Sequence, residues 1–186
     1  MVRFDSGRIC LDLLATGTYE SEQLGGSSQL VQWLLGVGLL PRDAPPGAVG
    51  GDWTVRFLEL RCCIEQLMRS ELGACPDGAP DALDRVNALA AAPPPGVRAV
   101  RGAEGGLVRA LDRAPECAAL LAAVARDALD LLTDPAARAL LRQCEGDGCR
   151  LLYLDTSRGR RRRWCSSEVC GNRERVARHR RRVAAL

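Results

Sequence analysis

Two cysteine pairs near the C-terminal end constrain the fold of this chain more than any other feature. Cys144 and Cys149 are separated by four residues, and Cys165 and Cys170 repeat this spacing. Structural zinc is held by four soft ligands in a tetrahedron, and in a small module the metal supplies folding energy that a larger protein takes from its core. The four thiols are therefore predicted to bind one structural Zn²⁺. Spacing alone leaves an alternative, in which they are unrelated buried thiols or form a disulfide.

The residues around the cysteines predict how the module folds. Gly146 and Gly148 allow the tight turn that the first pair needs. Residues 151–155 and 161–165 are predicted to pair as a hairpin, and Cys170 is predicted to open a helix. A knuckle, a hairpin and a helix that carries the last ligand make a treble-clef zinc finger.

The other five cysteines show no paired spacing and are excluded from the metal site. They are Cys10, Cys62, Cys63, Cys75 and Cys117. A thiol-based sensor that uses them is a weaker alternative function. The first seven residues are too polar for a signal peptide, and no apolar run approaches the ~18 residues of a membrane span. The chain is therefore expected to be cytoplasmic, with reduced thiols and no membrane partner.

Charge is distributed unevenly along the chain. All 26 basic residues are arginine. Residues 142–186 hold 13 of them against 5 acidic residues, whereas residues 1–141 hold 13 against 18. An acidic body with a basic tail predicts an anionic partner for the tail. Nucleic acid is the expected partner, since the planar guanidinium group can contact two phosphate oxygens at once.

The last helix carries a face rich in arginine. Counting about 100° per residue from Asn172 places several arginines opposite a narrow apolar side. The arginines predicted to contact nucleic acid are Arg175, Arg178, Arg181 and Arg182 on this helix, with Arg158, Arg160 and Arg161 at the tip of the preceding hairpin. Such a face can follow a phosphate backbone or enter the major groove of DNA.

Other residues are predicted to hold the module together. They are Asp155, Trp164, Asn172 and Arg173. Arg173 lies near the apolar side of the helix and is expected to fold back, with Asp155 as a candidate partner. Trp164 is expected to pack beside the metal. The apolar side is made of Val176, Ala177, Val183 and Ala184, and it is expected to pack on the hairpin or the body.

The first 141 residues predict a mainly helical body. Aromatic residues are only 4% of the chain, so the core must be built from Leu, Val and Ala, which suits helices. Apolar spacing and capping residues predict helices from Ser27, from Asp52, over 81–92, over 115–132 and from Asp134. Hairpins are predicted over 97–111 and over 2–14, where Leu11 and Leu13 would face the core and Asp12 the solvent.

The predicted fold class is therefore α+β. A mainly helical body with two short β-hairpins spans residues 1–141, and a C-terminal treble-clef zinc finger with a basic helix spans residues 142–186. An enzyme is not expected. His179 is the only histidine and lies among arginines, and the chain has no nucleophile motif, no glycine-rich phosphate loop and no recognisable pair of catalytic carboxylates.

Two stretches of the sequence resemble known families. Residues 163–173, Arg-Trp-Cys-Ser-Ser-Glu-Val-Cys-Gly-Asn-Arg, preceded by residues 152–157, resemble the CGNR zinc finger, which is named for the tetrad at Cys170–Arg173. The body resembles the ABATE domain at residues 10–16 and 33–36, with Ala15 where that family usually has Asn. The resemblance implies a bacterial, stress-induced transcription regulator with a DNA-binding finger.

Two hypotheses about function follow. In the first, the chain is a zinc-dependent transcription regulator that binds double-stranded DNA as a monomer or homodimer, and its body senses a small-molecule effector or a protein partner. In the second, it is a zinc-stabilised adaptor that binds RNA or protein without sequence-specific DNA recognition. Both assign the arginine-rich surface to an anionic partner.

Overall fold

A computed structural model describes residues 6–17, 22–42, 49–73 and 79–184. The helices are α1 (Ile9–Ala15), α2 (Ser27–Gly36), α3 (Trp53–Glu71), α4 (Pro80–Ala90), α5 (Cys117–Thr133), α6 (Pro135–Arg138) and α7 (Cys170–Ala184). The strands are β1 (Val97–Arg101), β2 (Leu107–Leu111), β3 (Leu141–Gln143) and β4 (Leu152–Leu154). Two antiparallel hairpins, β1–β2 and β3–β4, accompany the helices. The predicted α+β class with a mainly helical body is confirmed.

The N-terminal hairpin prediction is wrong where the structure describes it. Residues 9–15 form α1, and residues 2–4 lie outside the described ranges. Leu11 and Leu13 are buried as predicted, but their neighbours are buried too, so the helix is buried on every side. A short apolar run of this kind carries no period that separates strand from helix.

Asp12 does not face solvent as predicted. Its side chain is only 7% exposed. One carboxylate oxygen accepts hydrogen bonds from the hydroxyl of Ser6 at 2.5 Å and from its backbone N–H at 3.2 Å. The carboxylate thus holds the turn that leads into α1, which satisfies a buried charge that would otherwise be costly.

The core of the body lies between α3, α5 and the shorter helices packed against them. Phe57, Leu60 and Ile64 recur at helical spacing on α3 and are fully buried, as the sequence predicts. Trp33 on α2 is also fully buried and meets the ring of Phe57 edge-on, with 5.8 Å between centroids. On α4, the apolar spacing of Leu83 and Val86 predicts one buried side, but only Val86 is buried, whereas Leu83 is 43% exposed.

The hairpin β1–β2 forms over the predicted residues. Val97 pairs with Leu111, and Arg101 pairs with Leu107. Most of this hairpin is exposed, and Leu111 is the residue that joins the core. The other predicted element, the short helix α6, begins at its predicted cap: the Asp134 side chain accepts from the backbone N–H of Ala136 at 2.8 Å.

The strand partner of β4 differs from the prediction. β4 pairs with β3, with Leu141 opposite Leu154, while residues 161–165 form no strand. Side chains alternate along a strand, so Leu152 joins the body core while Leu151 and Tyr153 face the cysteines. Residues 151–154 are four consecutive apolar residues buried on both sides, so their strand partner must lie in the core. Residues 161–163 are exposed arginines and cannot be that partner. The predicted domain boundary between 141 and 142 falls inside β3.

Candidate metal centre

The structure brings the four predicted zinc ligands together. The Sγ atoms of Cys144, Cys149, Cys165 and Cys170 all lie within 4.8 Å of one another. Cys165 lies 3.9 Å from Cys149 and 3.6 Å from Cys170, measured between sulfurs. A Zn–S bond of about 2.3 Å in a tetrahedron places sulfur atoms about 3.8 Å apart. All four are free thiols, so the donor set and its spacing fit one structural Zn²⁺.

Each ligand is held by a different local element. Cys144 follows β3, and its backbone N–H donates to the carbonyl of Leu151 at 2.9 Å, which closes the hairpin around the knuckle. Cys149 ends the knuckle and precedes β4. Cys165 lies in the loop before α7, and Cys170 is the first residue of that helix. The hairpin is therefore built around the first ligand pair rather than between the two pairs.

Two glycines in the knuckle are needed for different reasons. Gly148 has φ +69°, a left-handed conformation that side chains other than glycine rarely adopt. Gly146 lies against the ligands themselves. A Cβ atom there would come within 3.1 Å of the Cβ of Cys170 and 3.4 Å of the sulfur of Cys144. The knuckle predicted from these glycines is confirmed.

Backbone donors point at the sulfur of Cys144. The N–H of Gly146 donates to it at 3.4 Å, and the N–H of Cys165 donates at 3.3 Å. Four thiolates around one Zn²⁺ carry a net charge of about −2. These donors offset part of that charge and fix the direction of the ligand, as outer-shell hydrogen bonds do in metal sites.

Three of the four thiols shift one another's pKa. The hydrogen bond from Cys165 lowers the pKa of Cys149 to about 5. The same contact with Cys149 raises the pKa of Cys165 far above its ordinary value, and burial raises the pKa of Cys170 to about 11. One thiolate therefore forms readily while its neighbours keep their protons. Zinc binding displaces those protons, because thiolates are the ligands.

Asp155 anchors the loop that follows β4. Its side chain is fully buried and accepts from the hydroxyl of Ser157 at 2.5 Å and from the backbone N–H of Arg162 at 2.9 Å. The Ser157 hydroxyl is the main reason that the pKa of this carboxyl lies below its ordinary value. The predicted pairing of Arg173 with Asp155 is wrong, because these donors already occupy the carboxylate and Arg173 is exposed. Asp155 instead stabilises the loop through its hydrogen bonds with Ser157 and Arg162.

Two exposed arginines of this loop make contacts within the module. Arg162 lies over the ring of Tyr153, 4.7 Å from its centroid, and donates to the carbonyl oxygens of Trp164 and Cys165. Arg163 pairs with Glu145 at 2.6 Å and lies over the indole of Trp164. Sequence reasoning missed both roles, since a run of four arginines gives no signal for which of them turn inward.

Trp164 packs where it was predicted to pack. It is half-buried against the cluster that contains the cysteines. Gly171 at the start of α7 is buried beside its ring, where an added Cβ would lie 3.5 Å from the indole. The indole thus covers one side of the metal site and supports the first turn of the last helix.

The apolar side of α7 does not pack on the module as predicted. Val176 is 42% exposed and Val183 is 59% exposed, while Ala177 is half-buried and the side chain of Ala184 lies outside the described residues. Cys170 must face the metal, and this fixes the rotation of the helix. Residues four and seven positions later share that side, and Glu174 there accepts from the backbone N–H of Asp147 at 3.1 Å.

Asn172, the other residue given a structural role, is exposed. Its side chain makes no hydrogen bond with any part of the chain that the structure describes. Arg175 differs, since it donates to the carbonyl of Ser167 at 3.2 Å. The remaining arginines predicted to contact nucleic acid are exposed and have no partner among residues 79–184 or the other described ranges: Arg158, Arg160, Arg161, Arg178, Arg181 and Arg182.

Comparison with known families covers most of the chain. Residues 7–135 match the ABATE family, described as "Putative stress-induced transcription regulator". The chain belongs to the ABATE family. Residues 140–183 match the CGNR zinc finger. No curated protein matches the chain. Both resemblances seen in the sequence are confirmed, and the four-cysteine site makes this ABATE chain a zinc-binding member of a regulator family. None of its described helices is long and apolar enough to span a membrane.

The ABATE body and the CGNR finger share buried contacts. Leu141 on β3 and Leu152 on β4 belong to the body core. Ala15, at the end of α1, lies in the cluster of the cysteines instead. Arg69 on α3 donates to the side chain of Gln143 at 3.0 Å. The body of this ABATE chain therefore contributes one wall of the metal centre.

Proposed function

We propose that this chain is a DNA-binding transcription regulator, whose finger presents α7 and the 158–161 loop to duplex DNA. The observation that carries the proposal is the surface of α7. Residues 170–184 contain six arginines and one acidic residue, Glu174, and that carboxylate is turned inward to the knuckle. The exposed surface of the helix therefore carries arginines and no outward-facing carboxylate, which suits a polyanion.

The arginines without partners supply the affinity. A side chain already engaged in the module would lose that contact on binding, whereas the exposed arginines of the loop and helix lose none. Contact with phosphates releases counterions, so the affinity falls steeply with salt. The chemistry of this surface is recognition rather than catalysis. His179 is exposed, and its sequence neighbours on both sides are arginines.

The test measures binding of the zinc-loaded full chain to a duplex by fluorescence anisotropy, from about 50 to about 200 mM salt. Six phosphate contacts predict a loss of about a thousandfold over that range. The triple variant Arg158→Ala, Arg160→Ala, Arg161→Ala is expected to have a smaller salt slope. Binding that ignores salt, or that prefers single-stranded RNA or an acidic polypeptide to the duplex, would favour the adaptor hypothesis.

The ABATE body offers a groove for an effector. It has a volume of about 800 Å³ and lies between the end of α2 and the β1–β2 hairpin. Leu35, Leu40 and Val108 give it apolar walls, and its exposed charged lining residues are Arg42, Arg109 and Glu104. An apolar surface with two cations against one carboxylate suits an apolar organic anion. This supports the proposed sensing role of the body.

A dye of that chemistry, anilinonaphthalene sulfonate, tests the groove. Its fluorescence is expected to rise with the native chain, and Val108→Trp, which fills the groove, is expected to abolish the rise. Val97→Trp is the matched control, because Val97 is on the other face of the same hairpin. Equal fluorescence with both variants would place the dye elsewhere.

A further inference from the structure

We infer that α7 reads base edges in the DNA major groove through a stripe that faces away from the zinc ligands, made of Asn172, Val176, His179 and Val183. This inference rests on the proposed function and deepens it. The stripe is not the arginine face that the sequence alone picks out. It contains three side chains that were expected to serve the module itself, Asn172, Val176 and Val183, and the structure leaves all three exposed.

The orientation of α7 defines the stripe. Cys170, Glu174 and Ala177 mark the inner side of the helix, because the first is a metal ligand, the second bonds to the knuckle and the third is half-buried. At 3.6 residues per turn, the opposite side carries positions 172, 176, 179 and 183, which recur at spacings of four, three and four. All four of these side chains are exposed. They form a row along the helix about 16 Å long.

Arginines flank this row on both sides. Arg173 and Arg180 lie along one edge, and Arg175 and Arg182 lie along the other, by the same count of about 100° per residue. When a helix enters a groove, the side chains at its front meet base edges, and cations at both flanks meet the two phosphate backbones. The distribution of charge on α7 has this form.

The chemistry of the row suits A·T base pairs. An asparagine amide can bond to N6 and N7 of adenine together, and an apolar side chain such as valine can contact the C5 methyl group of thymine. Asn172 lies in the first turn of α7, and residues near the N-terminus of a recognition helix are the ones that reach base edges in many DNA-binding folds. The row covers about five base pairs at about 3.4 Å per step.

Duplex DNA fits this surface better than folded RNA does. The B-form major groove is about 12 Å wide, and a helix with its side chains is about 10–12 Å across. The A-form major groove of RNA is too deep and narrow to admit side chains. A second copy of α7 is disfavoured as the occupant, because six arginines on each helix would face one another.

The experiment selects bound duplexes from a random library with the zinc-loaded full chain. Dissociation constants are then measured for a selected duplex and for a shuffled one. Asn172→Ala is expected to lower the ratio of the two constants about tenfold and to leave binding to the shuffled duplex unchanged. Arg178→Ala is the matched control, because Arg178 is exposed and without a partner on the same helix but is away from the row. It is expected to weaken both duplexes equally.

A second arm replaces thymine by uracil in the selected duplex, which removes only the C5 methyl group. Wild type is expected to bind the uracil duplex several-fold more weakly, and the double variant Val176→Ala, Val183→Ala is expected to bind both duplexes equally. Zinc content and helicity are measured for every variant, so that a folding defect is seen directly.

The outcomes separate the two proposals. If wild type discriminates between duplexes and the row variants discriminate equally well, another surface reads the bases and the inference is overturned, while DNA binding stands. If wild type binds no duplex, the proposed function fails and the inference with it. If the row variants instead abolish binding to an acidic polypeptide or to RNA, the row serves that partner and the inference is also overturned.

Discussion

Glu174 on α7 accepts a hydrogen bond of 3.1 Å from the backbone N–H of Asp147, which lies 27 residues earlier in the knuckle. Together with Cys170, this contact fixes the rotation of the helix about its own axis. A metal ligand at a single residue would leave the helix free to tilt about that residue. A second contact one turn later prevents this tilt. The face that α7 presents to a partner therefore depends on this carboxylate.

Removing that carboxylate is expected to loosen the helix without emptying the metal site. Glu174→Ala should keep one equivalent of zinc but lose about 1 kcal/mol of unfolding free energy, measured by urea denaturation. The amide of Asp147 should exchange its hydrogen faster. Glu168→Ala is the control, because Glu168 is an exposed acid in the same module. An equal loss of unfolding free energy in both variants would contradict a stabilising role for this hydrogen bond.

Loss of zinc is expected to destabilise the body as well as the finger. Cys165→Ser should lose the metal and lower the melting temperature of the whole chain in one transition, since Leu141 and Leu152 join the body core and Ala15 joins the cysteine cluster. Elemental analysis and circular dichroism at 222 nm measure the two effects. Cys62→Ser, at an exposed body cysteine, should change neither. A separate, unshifted transition of the body would show that the parts fold independently.

Gly148 and Gly159 should respond differently to the same change. Gly148→Ala forces a side chain into a left-handed conformation and is expected to cost about 1–2 kcal/mol of unfolding free energy. Gly159 has no atom within 4 Å of an added Cβ and no positive φ, so Gly159→Ala should be nearly neutral. Urea denaturation of the zinc-loaded proteins measures both. Similar values for the two variants would mean that the knuckle tolerates other conformations.

The contribution of Asp155 is expected to depend on pH. Its pKa is lowered in the folded chain by the Ser157 hydroxyl, so its carboxylate stabilises the fold above the unfolded pKa of about 4 and stops doing so as the pH falls through the folded pKa. The difference in unfolding free energy between wild type and Asp155→Asn should therefore be largest near neutral pH and shrink below about pH 4. Zinc loss in acid affects both proteins alike. A difference that is constant with pH would contradict the assignment.

The body cysteines are expected to differ sharply in reactivity. Cys10 is fully buried, and burial together with the neighbouring Asp127 carboxylate raises its pKa well above the ordinary value. Iodoacetamide should therefore label exposed Cys62 in the native chain and leave Cys10 and buried Cys117 unmodified. Mass mapping gives the pattern, and the denatured chain, in which all nine cysteines react, is the control. Rapid labelling of Cys10 would contradict this expectation and support the alternative of a thiol-based sensor.

Much of the body could be read from the sequence because its helices are long and periodic. Phe57, Leu60 and Ile64 mark the buried side of α3 without ambiguity, and Asp134 followed by Pro135 marks a helix start. The short N-terminal segment could not be read, since a seven-residue helix that is buried on every side has no amphipathic period. The burial of Asp12 could not be predicted either, because its hydrogen-bond partner Ser6 lies outside the helix, just before its start.

The ligand set of the metal site could also be predicted, because thiols with matched spacing are rare in any other role. The path of the chain between them could not. Strand pairing is decided by which residues the body core covers, so Leu141, which follows the helix predicted from Asp134, pairs with Leu154. The orientation of α7 depends on Cys170 and Glu174. The spacing of four between them was visible, but the acceptor role of Glu174 required the position of Asp147.

β3 ends one residue before Cys144, and its first residue, Leu141, is buried in the body. The chain therefore enters the finger without a flexible tether. The finger cannot swing against the body unless the β3–β4 pairing breaks or Leu141 and Leu152 become exposed to water. If the proposed function holds, an effector bound to the body would act by changing the tilt or rigidity of a finger that stays attached. Allosteric control in the proposed regulator would then work through the stiffness of this junction, and not through a change in how far the finger reaches.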